Sequence, residues 1–284
     1  QRPKTRKEKR KRQRKIKMDK KLSFTEHLGE LRQRIVVALI VVIISFSVCF
    51  YYSEDIFRLL TLPLHNTLKF SLKMPFITLQ DTGNPGLALV FLAPAEALWM
   101  HLKLSLIGAI IISSPVIFYE IWKFITPGLL TKEKKYVLPV VIVTTFLFLL
   151  GSLFCFIIVL PFAINFLLTY KTESIKPMLS VGNYIDFCLK FIIAFGAIFE
   201  LPVAIVFLTK MDIVTTDFLA KNRKYAVLIA FIIAAALTPT PDAFNQILMA
   251  LPIILLYEAG IWASRILNLK QKGKKDDNIE QKND

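Results

Sequence analysis

Two glutamates one helical turn apart, Glu26 and Glu30, lie just before the first long apolar segment. Residues 23–34 read S-F-T-E-H-L-G-E-L-R-Q-R, and Ser23 with Glu26 has the capping-box spacing that starts a helix. Carboxylates at i,i+4 repel each other by about 0.2–0.5 kcal/mol unless a cation lies between them. Arg34 can pair with Glu30, whereas Glu26 has no local partner. The pattern fits either a site for a cationic ligand or an amphipathic helix whose arginines reach lipid headgroups, and these residues alone favour the helix.

A third acid, Glu200, lies deep in a long apolar segment, midway between Lys190 and Lys210. Burying a carboxylate at that depth costs on the order of several kcal/mol, so Glu200 must be paired, water-facing or protonated. Pro202 removes a helical N–H and frees the carbonyl of Ile198. A Thr or Gln of a neighbouring helix could satisfy Glu200, or Glu200 could receive a polar residue of another transmembrane helix. An intramembrane acid favours the second alternative.

Three more polar residues lie in short connections. Glu133 is flanked by lysines in T-K-E-K-K, which keeps it near the membrane face that carries Glu26 and Glu30; taken alone it reads as a solvated loop charge. Asp242 and Gln246 lie one helical turn apart at a turn, where the simplest role is capping the last helix.

Neither an enzyme nor a metal or cofactor site is predicted. The sequence has no H-E-x-x-H, P-loop or G-x-S-x-G motif, and its three cysteines and three histidines have unrelated spacings. The cysteines lie in apolar surroundings, which is typical of buried, inert thiols.

The composition indicates an all-α membrane protein. Of 284 residues 55% are hydrophobic, and the mean hydropathy is +0.54. Much of the net charge of +15 comes from residues 1–22, which hold 13 Lys/Arg and predict a disordered cytoplasmic tail attracted to anionic lipid. Nucleic acid is a weaker alternative, because no aromatic residue lies among these charges.

Six apolar segments predict six transmembrane helices between residues 23 and 265, followed by a polar cytoplasmic tail at 266–284. The segments are separated by a long polar loop at 53–100 and by shorter connections. The fifth and sixth segments, between Lys224 and Pro239 and between Asp242 and Glu258, span only about 21–22 Å, short of the roughly 30 Å hydrocarbon core. The excess of Lys/Arg places both termini inside.

Several motifs together resemble the TatC family, the multispanning subunit of the twin-arginine protein translocase. They follow one another in the order of that family and cover most of the chain. The motifs are H-L-x-E-L-R-x-R at 27–34, S-P-V-I-F-Y-E-I-W-K-F-I-T-P-G-L at 114–129, F-E-L-P-V-A-I at 199–205, R-K-Y-A-V at 223–227 and L-T-P-T-P-D-A-F-N-Q at 237–246.

The resemblance implies a receptor for the twin-arginine signal peptides of folded proteins at the cytoplasmic face. It implicates Glu30 and Glu133 in recognition, with Arg32 and Arg34 at further motif positions, and the residue pattern adds Glu26. It also implies hetero-oligomers with several copies and with single-span TatA- and TatB-type partners, driven by the proton motive force. The partner contacts would involve Glu200, Gln246 and Asp242. The expected location is the bacterial inner membrane, or alternatively the thylakoid membrane.

Two other functions stay open at this stage. One is a proton-coupled secondary transporter of small solutes that uses Glu200, although no internal repeat supports it. The other is a scaffold that gathers membrane proteins without binding a signal peptide. The long basic tail and the extended first external loop depart from the family pattern.

Overall fold

A computed structural model of the chain describes residues 24–70, 77–81, 89–125, 137–169, 178–238 and 243–280. Helices form nearly all of this part, which confirms the predicted class. In chain order, the elements are α1 (Phe24–Tyr51), α2 (Ser53–His65), β1 (Asn66–Phe70), β2 (Ile77–Asp81), β3 (Leu89–Val90), α3 (Glu96–Ile125), α4 (Val137–Phe154), a π-helical turn (Cys155–Val159), α5 (Leu160–Thr169), β4 (Leu179–Ser180), α6 (Val181–Ile198), α7 (Leu201–Lys210), α8 (Thr216–Lys221), α9 (Arg223–Leu237) and α10 (Ala243–Glu280).

Five stretches of the described residues are long and apolar enough to cross a membrane. The chain is therefore a multipass membrane protein, while the count of six spans and the placement of both termini inside stay predictions. The five stretches are Leu28–Tyr51, Glu96–Ile125, Val137–Leu168, Val181–Lys210 and Ala243–Leu267.

Helices α1 and α3 pack against each other in antiparallel directions. Ser113 of α3 donates a hydrogen bond to the Ser45 hydroxyl of α1, with 2.9 Å between the oxygens. Nearby, a Cβ added to Gly108 would lie 3.2 Å from the Cys49 sulfur. Small side chains permit this close approach. The pairing brings the start of α1 beside the end of α3, where the first candidate site lies.

The prediction of a polar loop at 53–100 is wrong over much of that range. It contains the helix α2 and an antiparallel hairpin of β1 and β2, and α3 begins at Glu96. Glu54 and Asp55 in the first turn of α2 favour a helix start through the helix dipole.

Glu96 ties the loop before α3 to the start of α6. Its carboxylate accepts backbone hydrogen bonds from Leu92 (2.6 Å), Ala93 (3.3 Å) and Gly182 (2.7 Å), and one from the Ser180 hydroxyl. These contacts support the parallel pairing of β3 with β4. They fix one end of α3 against α6, about 36 Å of helix before Glu120 near the other end of α3.

The core is centred on α6. Its buried side chains face α4, the π-helical turn and α2, and the Tyr184 hydroxyl donates to the Leu60 carbonyl at 2.8 Å. The tightest crossing is with α4, where a Cβ on Gly151 would lie 2.6 Å from the Phe195 carbonyl oxygen and one on Gly196 would lie 2.7 Å from the Phe148 ring. Only glycine fits there, and the crossing lies directly before Glu200.

The last two helices differ in length. The short fifth helix is confirmed, because α9 has 15 residues and spans about 22 Å. The prediction of a short sixth helix is wrong, because α10 has 38 residues and continues through Glu258. Glu258, the predicted end of the segment, lies inside α10 and accepts two hydrogen bonds from the Arg223 guanidinium of α9, at 2.5 and 2.9 Å.

Candidate functional sites: two groups of carboxylates

The first site joins the start of α1 to the end of α3 through one guanidinium. Arg34 donates from Nη2 to Glu30, one turn earlier on α1, and from Nη1 to Oε2 of Glu120 on α3, at 3.2 Å. The side chains of Arg34 and Glu120 are only 11% and 12% exposed, whereas that of Glu30 is 26% exposed. The predicted pairing of Arg34 with Glu30 is confirmed.

The charges of this site do not cancel within the three side chains. Two carboxylates share one guanidinium, so Glu30, Arg34 and Glu120 together carry one net negative charge. Partial burial strengthens such interactions relative to fully exposed ion pairs. Of the two acids, Glu30 is the more accessible.

Other residues predicted for this site have different placements. Arg32 lies on α1 and is exposed. The side chain of Glu26 and the whole of Glu133 lie outside the described residues, so their distance from Glu30 stays a prediction. The basic tail at 1–22 lies outside them too.

The second site is Glu200, at a break between α6 and α7. Here the Phe199 amide donates to Phe195 at 3.0 Å, but the Glu200 amide turns to Ala197 at 3.1 Å, and a new helix begins at Leu201. Pro202 lies in the first turn of that helix and has no N–H to donate. The sequence predicted a free Ile198 carbonyl beside Pro202 within one continuous segment, and the break into two helices is a finding of the structure.

Glu200 is half-buried, and within the described part of the chain its Oε1 is buried without a hydrogen-bond partner. This observation disfavours the interpretation in which a Thr or Gln of a neighbouring helix satisfies that oxygen. A buried acceptor without a partner costs about 1–3 kcal/mol. Glu200 therefore holds an unused acceptor that another chain could satisfy.

Gln246 does not share a hydrogen bond with Glu200 among the described residues. It lies in the first turn of α10 and donates from Nε2 to the Phe231 carbonyl of α9 at 3.2 Å. Its contact closes the end of the α9–α10 hairpin. Asp242 lies outside the described residues, so its predicted capping and partner roles are untested.

Sequence reasoning missed Glu120 and the Lys103–Asp186 pair. Glu120 was inside a quoted motif, and an acid near the end of a long apolar helix was the signal that could have identified it. Lys103 contacts both oxygens of Asp186, at 2.7 and 2.9 Å, and joins α3 to α6 at the end of α3 remote from Glu120. Both contacts link residues more than 80 positions apart.

Comparison with known proteins gives a match over most of the chain. The family model TatC, described as Sec-independent protein translocase protein, matches residues 26–252. The Sec-independent protein translocase protein TatC of Desulforapulum autotrophicum is 42% identical over 263 residues, which cover 93% of this chain and 90% of that protein. Its counterpart in Carboxydothermus hydrogenoformans is 38% identical over 253 residues, with 89% and 97% covered.

Solved structures agree with the sequence matches. A crystal structure of the twin-arginine translocase receptor TatC in DDM superposes with a TM-score of 0.72 at 38% sequence identity. The match covers 84% of this chain and 99% of the crystallised one. A second crystal structure of the same receptor gives a TM-score of 0.71.

Proposed function

Because the chain belongs to the TatC family of Sec-independent protein translocase proteins, we propose that it is the subunit that binds twin-arginine signal peptides. Membership of this family makes the chain a membrane-spanning component of a twin-arginine protein translocase, in a family of protein transport and not of catalysis. Family membership does not favour the solute-transporter alternative.

The carboxylate site at the start of α1 supports the receptor role. A guanidinium pairs well with carboxylates because it can make two parallel charge-assisted hydrogen bonds, which an ammonium cannot match. Arg34 already contacts Glu30 and Glu120 through two separate nitrogens. The one observation that carries the proposal is therefore a site built to bind guanidinium groups, with Glu30 accessible at its edge.

The expected affinity contribution is modest for each contact. Sheltered charge-assisted hydrogen bonds contribute about 1.5–3 kcal/mol, whereas exposed ion pairs give about 0–1 kcal/mol. The 26% exposure of the Glu30 side chain places it between these limits. Useful selectivity therefore needs more than one acid, and we assign Glu133 and Glu26 to this surface together with Arg32 and Arg34.

We assign Glu200 to the assembly of the chain with partner membrane proteins. A polar residue on a single-span TatA- or TatB-type helix would satisfy the buried Oε1 of Glu200, which has no partner in the described part of the chain. Gln246 and Asp242 would form the adjoining end of that contact surface, at the start of α10. The working complex would then be a hetero-oligomer with several copies, driven by the proton motive force.

The membrane domain at 23–265 would lie in the cell inner membrane with both termini in the cytoplasm; the thylakoid membrane is the alternative. In that orientation the basic tail at 1–22 contacts anionic lipid of the cytoplasmic leaflet. The polar tail at 266–284 would lie on the same side.

Peptide binding by charge-neutral variants tests the receptor role. Glu30→Gln or Glu133→Gln should each weaken binding of a labelled twin-arginine peptide to the purified full chain in detergent by about fivefold, the equivalent of roughly 1 kcal/mol. Glu54→Gln is the matched control, since Glu54 is 60% exposed on α2. Wild-type affinity in both variants would refute the assignment.

A further inference from the structure

Arg34 occupies the carboxylate pair in the same way that a ligand arginine would. It lies between Glu30 of its own helix and Glu120 of α3, and contacts each through a different terminal nitrogen. Its side chain is 11% exposed, so these contacts are sheltered from solvent. The described site is therefore filled by the chain's own guanidinium.

The two acids hold Arg34 unequally. Glu120 is 12% exposed and belongs to another helix, whereas Glu30 is 26% exposed and lies at the edge of the site. The Arg34 Nε is buried and has no hydrogen-bond partner among the described residues, so the guanidinium is not fully satisfied where it lies. A shift of Arg34 toward Glu120 would break its contact with the more accessible acid.

We propose that Arg34 is an internal occupant of the signal-peptide site, that an incoming arginine displaces it from Glu30, and that Glu120 retains it during the exchange. This inference rests on the proposed function. Glu120 is in this view a positioning residue, since it acts through Arg34 and contacts no peptide. The exchange moves only charge-assisted hydrogen bonds: Arg34 gives up Glu30 and keeps Glu120, and the ligand guanidinium takes the vacated carboxylate.

Charge balance explains why Glu120 is needed. With both acids present, Glu30, Arg34 and Glu120 together carry one net negative charge, which an incoming arginine balances. Without the Glu120 charge, Glu30 and Arg34 balance each other, and binding leaves Arg34 buried without the acid that Glu120 supplies. Such an unpaired buried cation is costly, so Arg34 would compete harder for Glu30.

A double-variant cycle distinguishes this exchange from direct contact or a purely structural role. Glu120→Gln should weaken binding of a twin-arginine peptide by about fivefold. Adding Arg34→Gln to it removes the competitor and restores one net negative charge, so the double variant should bind at least as tightly as the wild type. A peptide contact or a structural role for Glu120 would leave the double variant as weak as Glu120→Gln.

The measurement uses the full chain in lipid nanodiscs and a fluorescent twin-arginine peptide, followed by anisotropy. The matched control is Lys123→Gln, an exposed cation one turn beyond Glu120 that should leave affinity unchanged. A double variant that stays weak, or a Glu120→Gln variant with wild-type affinity, would overturn the exchange.

The same peptide with both arginines replaced by glutamine separates this result from the proposed function. If the wild type does not distinguish the two peptides, the receptor role fails and the exchange fails with it. If the wild type prefers the arginine peptide but the double variant stays weak, only the exchange is overturned.

Discussion

The site at the start of α1 and the site at Glu200 treat their carboxylates in opposite ways. Glu30 and Glu120 share Arg34, supplied by the chain itself. Glu200 keeps a buried oxygen with no hydrogen-bond partner in the described part of the chain. In our proposal the first site gains a ligand by exchanging one guanidinium for another, whereas the second gains one by simple addition.

The environments explain this difference. The first site lies near helix ends, where Glu30 is accessible and paired charges are tolerated. Glu200 lies about 15 Å of helix before Lys210, in apolar surroundings where an internal ion pair would bring a second charge into the bilayer. These environments agree with our proposal of a reversible peptide site at the first position and an assembly site at the second.

A larger side chain at the helix crossing next to Glu200 should have the largest effect on stability. It should alter the Glu200 site and leave the site at Glu30 unchanged. Gly151→Ala places a Cβ 2.6 Å from the Phe195 carbonyl oxygen, which cannot move unless α6 moves. We expect a loss of about 1–3 kcal/mol in the free energy of unfolding, measured by thermal denaturation in detergent.

Gly29→Ala is the matched control for that variant. A Cβ there meets no atom within 4 Å, so the substitution should leave the free energy of unfolding unchanged or raise it by up to about 1 kcal/mol through helix propensity. Equal stability of the two variants would contradict the tight crossing.

Higher salt should weaken peptide binding at the Glu30 site but not partner retention at the Glu200 site, an effect smaller than that of Gly151→Ala. Between about 0.15 and 1 M ionic strength the Debye length falls from about 8 to 3 Å. Peptide binding at Glu30 should weaken about threefold, because that acid is partly exposed. Retention of single-span partners through Glu200 should not change, as seen by quantitative co-purification in both salts. Salt-sensitive partner retention with salt-insensitive peptide binding would reverse the comparison.

Features set by local spacing could be predicted from the sequence. The i,i+4 spacing identifies the Glu30–Arg34 pair, and Pro202 identifies a missing helical N–H beside Glu200, although not the full break into two helices. Both depend on residues within one or two turns, where helix geometry fixes the neighbours. The short α9 follows from the charges and prolines at its two ends.

Features set by tertiary contact could not be predicted in this way. Glu120 meets Arg34 across 86 residues, and only the antiparallel pairing of α1 with α3 brings them together. The sixth helix was expected to end near Glu258. Instead it continues past this acid, which contacts Arg223, 35 residues earlier in the chain. The helix α2 was hidden because a polar, proline-containing sequence is typical of loops.

The most direct test measures peptide affinity and partner retention in both Glu30→Gln and Glu200→Gln, using the full chain purified from a membrane that contains its partners. We predict that Glu30→Gln weakens twin-arginine peptide binding about fivefold and retains the single-span partners. We also predict that Glu200→Gln keeps wild-type peptide affinity and loses most of those partners. Parallel losses of both properties in either variant, with the fold intact, would contradict the assignment of the two carboxylates to separate roles.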